Sequence, residues 1–420
     1  MCLRLLQLLT GRCALIVTLC VGAALAATPA ARADVRLSPL SAGPSTGALA
    51  ARMSTAGRTP SARESAEQPF SPGQIRAAYS LPSKGAARQT IAVVSVFDDP
   101  YIQSDLNAYS RMFGLPRCTG ANHCFRKLNQ GGSTKPLPPK DPSGGQWITE
   151  SSLGVELARG VCPTCKIMLV EANTTFKGDV AAAIEAASKA GATVVVTSIT
   201  PTEDAFDGKF YERPFSLLRR TAVVAATGDA QLSPFGYGQD INFPSSLPAV
   251  IAVGGTHLNR GKPGRYGSEH VWQASVSGCS RYNKAPSWQA KDAAKVGCGS
   301  KRAVADIAAM ADPGAIVHIT GSGMPDGPLF VASGSSVAAP IIAGVIGLAG
   351  SDGSKEAQLL YQRAISHPRW FHHVSSGSNG PECSKPICKG TRSGYNGPTG
   401  LGTPNGLAAF LPPKTHARRR

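Results

Sequence analysis

The stretch Ser333-Gly334-Ser335-Ser336-Val337-Ala338-Ala339-Pro340 follows a short apolar run, Leu329-Phe330-Val331. It leads directly into Ile341-Ile342-Ala343-Gly344-Val345-Ile346-Gly347-Leu348-Ala349, an apolar segment of helical length. A Gly before a Ser at a strand-to-helix turn lets the backbone bend sharply and leaves the hydroxyl accessible. The free N–H groups and positive dipole end of a helix start favour the anion formed in acyl transfer. The alternative reading of the same residues is a capping Ser before a buried helix.

Upstream, from Thr90 onward, strand and helix patterns alternate. Strands are expected over 90–97, 166–171, 192–198, 221–226 and 249–253, and helices over 102–113, 147–160, 178–190 and 211–220. The strands are near-continuous runs of Val, Ile and Ala, as in parallel strands buried on both faces. The alternation predicts an α/β fold, a doubly wound and mostly parallel sheet with helices on both faces. Ser71 is placed to cap a short helix reaching Tyr79. In such sheets ligands bind at the carboxyl ends of the strands. Asp98 and Asp99 follow the first strand, Thr227-Gly228-Asp229 follow the fourth, and Glu150 lies early in the second helix. These polar groups are expected to converge near Ser336.

A serine nucleophile needs a base and an oxyanion stabiliser. None of the His residues follows a strand in a His-Gly-Thr setting, and His372 and His373 lie far along the chain. A carboxylate can replace the imidazole and suits acidic conditions.

Taken together, these motifs resemble the sedolisins, serine-carboxyl peptidases with a subtilisin-like fold, in one order from about Phe70 to Leu411. The octapeptide around Ser336 resembles the family's Ser-Gly-Thr-Ser-x-x-x-Pro. Ala226-Thr227-Gly228-Asp229 is similar to its Ala-Ser-Gly-Asp, and Trp147-Ile148-Thr149-Glu150 to the start of its glutamate-bearing helix. Arg302-Ala303-Val304-Ala305-Asp306-Ile307 and the block from Gly394 to Asn405 complete the set. The resemblance implies a secreted endopeptidase acting on polypeptides through an acyl-enzyme at acidic pH. Ser336 would be nucleophile, Glu150 base and Asp229 a protonated donor to the oxyanion.

Departures from the family pattern keep a second reading open, a catalytically impaired pseudopeptidase that binds peptides or a protein partner. Where the family carries an orienting Asp one turn after the Glu, this chain has Gly154. Asp98 or Asp99 is the candidate replacement. The substrate strand ends Ser198-Ile199-Thr200 instead of Ser-x-Gly. The family's calcium site falls near His373, Val374, Gly394 and Asn396, a weakened set because calcium prefers carboxylate oxygen.

Residues 1–33 read as an export leader: Arg4 and Arg12 precede the apolar run Cys13 to Ala26, with cleavage signals at Ala24-Leu25-Ala26 and Ala31-Arg32-Ala33. That run is short for a membrane span. A low-complexity linker or pro-segment is expected over 34–66, a peptidase-like domain over 67–414 and a basic tail over 415–420. Three of the 11 Cys lie in the leader, and the even remainder suits disulfides in a secreted or periplasmic protein. Sequence proximity suggests Cys118–Cys124, Cys162–Cys165, Cys279–Cys298 and Cys383–Cys388, with a redox pair or half a zinc site as the alternative for Cys162-Pro163-Thr164-Cys165. Net charge is +17, yet the basic residues are scattered and no aromatic-basic motif accompanies them. That distribution reads as a solvated surface and argues against a nucleic-acid partner. A monomer, with no membrane contact once the leader is removed, is expected.

Overall fold

The computed structural model describes residues 68–86, 89–218, 220–229, 241–262, 265–321, 328–350, 353, 355–380, 385–391 and 394–413. The expected leader, linker and basic tail lie outside them. All described residues fall in the compact unit Arg36–Arg420.

Strand β1 (Thr90–Val96) is buried along its length after Thr90, and its side chains alternate between two cores. Ile91 and Val93 enter one, Ala92, Val94 and Val96 the other. That period of two is why the strand reads as an unbroken apolar run. In chain order the elements are α1 (Pro72–Ala78), β1, α2 (Ile102–Met112), β2 (Phe125–Asn129), α3 (Gln146–Val161), β3 (Lys166–Ala172) and α4 (Lys177–Lys189). β4 (Val194–Thr197), α5 (Arg213–Ser216), β5 (Ala222–Ala226), β6 (Ile251–Arg260), β7 (Tyr266–Val271), β8 (Gly278–Lys284) and α6 (Ala290–Lys295) follow. The remainder includes β9 (Lys301–Val304), β10 (Ile307–Asp312), β11 (Ala315–His318), β12 (Leu329–Ala332), α7 (Ser335–Ala349) and α8 (Glu356–Ser366).

Seven strands pair in parallel in the order β10-β6-β5-β4-β1-β3-β2, and β7 adds to β6 in antiparallel. This is the α/β, subtilisin-like, doubly wound sheet that the sequence predicts. α3 and α7 pack on the β1 face that carries Ile91 and Val93, and α4 covers the opposite face. Ser71 caps α1 in a reciprocal box with Gln74.

Two expectations change. The helix expected over 211–220 is a π turn, Gly208–Glu212, followed by α5, which stops at Ser216. Pro214 has no N–H to give to the turn before it, so it sits in the first turn of α5, where that donor is not needed, and the regular helix starts there and not at residue 211. Arg302 does not belong to a solvated basic surface. It is fully buried and forms a two-pronged pair with Asp306, at 2.7 Å and 2.5 Å. Asp306 also accepts from Ala252 N–H, Gln289 and Tyr361, so this pair ties β6, β9 and α8 together.

The bonds Cys118–Cys124, Cys162–Cys165 and Cys279–Cys298 are formed. Cys388 is disulfide-bonded as well, and its expected partner Cys383 lies outside the described residues. Because removing one member strands a buried charge, Asp306→Asn should cost about 3–5 kcal/mol in urea unfolding. A loss below 1 kcal/mol would mean that the pair is not what holds this corner.

Candidate active site

α7 is buried at every residue, so it needs no polar face and its sequence is apolar all round. Its first residues therefore arrive at a fixed place, the carboxyl edge of the sheet. Gly334, at φ 140°, makes the turn; a Cβ there would lie 2.8 Å from Asp229 Oδ2. No residue with a side chain fits that approach.

Three predicted side chains meet at this edge. The Ser336 hydroxyl donates to Glu150 Oε1 at 3.3 Å. Asp229, which follows β5, accepts from the Ser335 N–H at 2.9 Å. Ser335 Oγ in turn accepts from the Gly228 N–H at 3.2 Å, fixing the loop that carries Asp229. Trp147, Ser198, Thr200 and Gly228 close the cleft around them, leaving about 20 Å³, enough for one small polar group. Ser336 is only 8% exposed. The Ser336 N–H belongs to the helix start, where backbone donors lack intrahelical acceptors, so it can serve an oxyanion beside Asp229.

Burial pushes the Glu150 carboxyl up to about 8, and the nearby Asp229 charge adds to this against the Ser336 hydrogen bond. Burial also raises Asp229 to about 6, opposed by its bond to the Ser335 backbone. Both carboxyls thus hold protons more tightly than exposed acids. The arrangement offers a hydroxyl, an adjacent carboxylate to take its proton, and a carboxylic acid able to donate.

Asp98 and Asp99 do not reach Glu150. β1 ends at Val96, and the two acids lie beyond it, drawn aside by other partners. Asp98 pairs with Lys127, and Asp99 accepts from the Tyr101 N–H at 2.9 Å and from Ser152 at 3.1 Å. Ser152 is two positions past Glu150 on α3 and so faces away from it. Glu156 accepts from the His318 N–H on a further face. Glu150 Oε2 is buried with no hydrogen-bond partner among the described residues. Gly154 has a packing reason that sequence reading missed: a Cβ there would meet Val93 Cγ1 at 2.8 Å. α3 and β1 touch backbone to side chain at this point.

The residues at the expected calcium position do not fit that ion. Asn396 Nδ2 donates to the Val374 carbonyl at 3.1 Å, and its oxygen accepts from Thr399 N–H and Oγ1. The amide therefore already occupies the oxygens a cation would need. Lys295 Nζ lies 2.6 Å from where a Cβ on Gly394 would stand, placing an ammonium beside the loop. Half-buried His373 is held below the usual imidazole value by burial and by Lys295. No cluster of three His, Cys, Asp or Glu able to hold a metal occurs among the described residues.

With the geometry in place, comparison with known proteins gives the class. The subtilase family model matches residues 142–365, just over half of the chain. The chain belongs to the subtilase family, a peptidase family, and within it is a sedolisin-type member. It is 28% identical over 378 residues to kumamolisin from Bacillus sp. (strain MN-32), an alignment covering 83% of this chain and 65% of that protein. It is 31% identical over 193 residues to sedolisin from Pseudomonas sp. (strain 101), covering 42% of this chain and 30% of that one. The chain thus spans less than two thirds of either relative. The solved Pseudomonas sedolisin, complexed with two molecules of pseudo-iodotyrostatin, superposes with a TM-score of 0.68 at 23% identity, over 80% of this chain and 96% of that one.

Two outcomes follow from the packing. EGTA should leave the thermal midpoint unchanged within a degree, whereas a drop restored by calcium would show that the ion binds after all. Gly154→Ala should cost about 1–3 kcal/mol through overpacking against Val93, and Val93→Ala in the same chain should recover part of that. Additive losses in the double variant would disprove the contact.

Proposed function

We propose that this protein is a secreted or periplasmic serine-carboxyl endopeptidase that hydrolyses polypeptides on the acid side of neutrality. The observation that carries the reading is the hydrogen bond from Ser336 to Glu150 beside half-buried Asp229. In the first step Ser336 Oγ attacks the scissile carbonyl and passes its proton to Glu150. The carbonyl oxygen becomes an oxyanion, received by the Ser336 N–H and the protonated Asp229 carboxyl. Glu150 then gives the proton to the leaving amine, and the acyl-Ser336 ester remains. Water adds to that ester with Glu150 taking its proton, and the acid product leaves as Ser336 recovers a proton. The leader-like N-terminus and the disulfides support export, and no described helix is long and apolar enough to cross a membrane.

Protonation sets the pH range. Glu150 must be ionised to accept and Asp229 protonated to donate. A neutral Asp229 also removes the charge that helps raise Glu150, which lets Glu150 ionise below about 8. Burial still holds Glu150 at about 8 and Asp229 at about 6, so the form with Glu150 ionised and Asp229 protonated is a minor one that is most populated between those two values, and activity falls on either side.

A second reading, a sedolisin-type protein that binds peptides without cutting them, draws on Gly154 and on the unpartnered Glu150 Oε2. Digestion of casein or a peptide library between pH 3 and pH 8 separates the two. Wild type should cut and Ser336→Ala should lose at least about 10³-fold in kcat. Asp229→Asn, whose amide donates without titrating, should lose the alkaline limb. Equal turnover in wild type and Ser336→Ala would end the peptidase reading, and an unchanged alkaline limb in Asp229→Asn would end the role given to Asp229.

A further inference from the structure

Beside Glu150 lies a second small space of about 10 Å³, which shares Trp147, Glu150 and Ser198 with the cleft at Ser336. It is lined by Glu150 and Gly154 of α3, by Val93 and Ser95 of β1, and by Ser198 after β4, with Pro340 as part of its apolar wall. Roughly 10–15 Å³ of such room holds one water molecule when two or more polar partners are present. Here Glu150, whose Oε2 is buried without a partner among the described residues, lines the space together with Ser95 and Ser198.

Ser95 is an anomaly in its row. On the α3 side of β1 the sequence runs Ile91, Val93, Ser95, so a hydroxyl replaces an aliphatic side chain at a position only 3% exposed. A buried hydroxyl is costly unless it is hydrogen-bonded. Ser95 Oγ lies 2.7 Å from Ser151 Oγ, which also lies 2.9 Å from the Trp147 carbonyl. Ser151 shares its one proton between Ser95 Oγ and the Trp147 carbonyl. Ser95 is the acceptor there, which leaves its own proton to be given elsewhere.

We propose that Ser95 is the positioning residue for Glu150, acting through one buried water at Gly154. The water donates to Glu150 Oε2 and accepts from the Ser95 and Ser198 hydroxyls. It does from β1 what a carboxylate one turn along α3 would do, at a point where Val93 leaves no room for a side chain on the helix. The inference rests on Glu150 acting as base in the proposed peptidase, but the water site is readable without turnover.

A crystal structure of the mature protein at atomic resolution tests the site. Density for a water within hydrogen-bond distance of both Glu150 Oε2 and Ser95 Oγ is expected, and an empty or apolar-filled space overturns the proposal whatever the activity. Kinetics test the role. Ser95→Ala should lower kcat by about tenfold, the scale of one hydrogen bond to a charged group, and should shift the acid limb of the pH profile with KM unchanged. Ser95→Thr, which keeps the hydroxyl, should retain both. The thermal midpoint of each variant is measured alongside. An unaltered acid limb in Ser95→Ala, or equal defects in Ala and Thr, overturns the role of Ser95. Absence of Ser336-dependent turnover in wild type would overturn the peptidase reading and with it that role, while the water site would still stand or fall on the density.

Discussion

Everything at the candidate site depends on how α7 is held. A helix buried at all positions from Ser335 to Ala349 can neither slide nor rotate without opening a cavity in the core. Its glycines show how tightly it is set: a Cβ on Gly344 would meet Val161 of α3 at 2.6 Å, and one on Gly347 would meet Ile91 of β1 within 3.0 Å. α3 is fixed against the same strand at Val93 and Gly154. The three elements therefore lock one another, and the hydroxyl of Ser336 meets the carboxylate of Glu150 because their backbones cannot be elsewhere. Pre-organisation of this kind places a nucleophile and base before substrate arrives.

The same close packing explains why the site departs from its family's pattern. At Gly154 the helix lies so near Val93 that an orienting acid has no room on α3. Ser95 of β1 and Ser198 line the space beside Glu150 and Gly154. Electrostatics follow from the burial. Desolvation raises both Glu150 and Asp229, so both favour the neutral form. On the far side of the molecule the calcium position shows a parallel exchange. There the Asn396 amide closes onto the Val374 carbonyl, and a neutral hydrogen bond ties the loop that carboxylates and a cation would tie.

The order of the motifs made the fold legible, because buried parallel strands leave unmistakable Val, Ile and Ala runs. β2 escaped notice since Phe125-Arg126-Lys127-Leu128-Asn129 is a half-exposed edge strand with polar residues between its apolar ones. The helix expected over 211–220 failed at Pro214. The burial of Arg302 is not legible in charge composition, and its pairing with Asp306 is what makes the interior tolerable. Ser336, Glu150 and Asp229 could be named from their neighbours in sequence, whereas the partners of Asp98 and Asp99 could not.

From the sequence alone came the α/β class, the turn before Ser336, the carboxylates that might serve it and the pairing of near-neighbour cysteines. These are local matters, set by periodicity, by glycine at a tight turn and by short loops between cysteines. Tertiary structure alone decided which carboxylate touches the serine, which acids turn away to Lys127 and Ser152, and why residue 154 is glycine. Those outcomes hinge on ångström-scale approaches between segments more than 50 residues apart, such as Val93 against Gly154 and Ser95 against Ser151. No pattern within a single strand or helix encodes that distance.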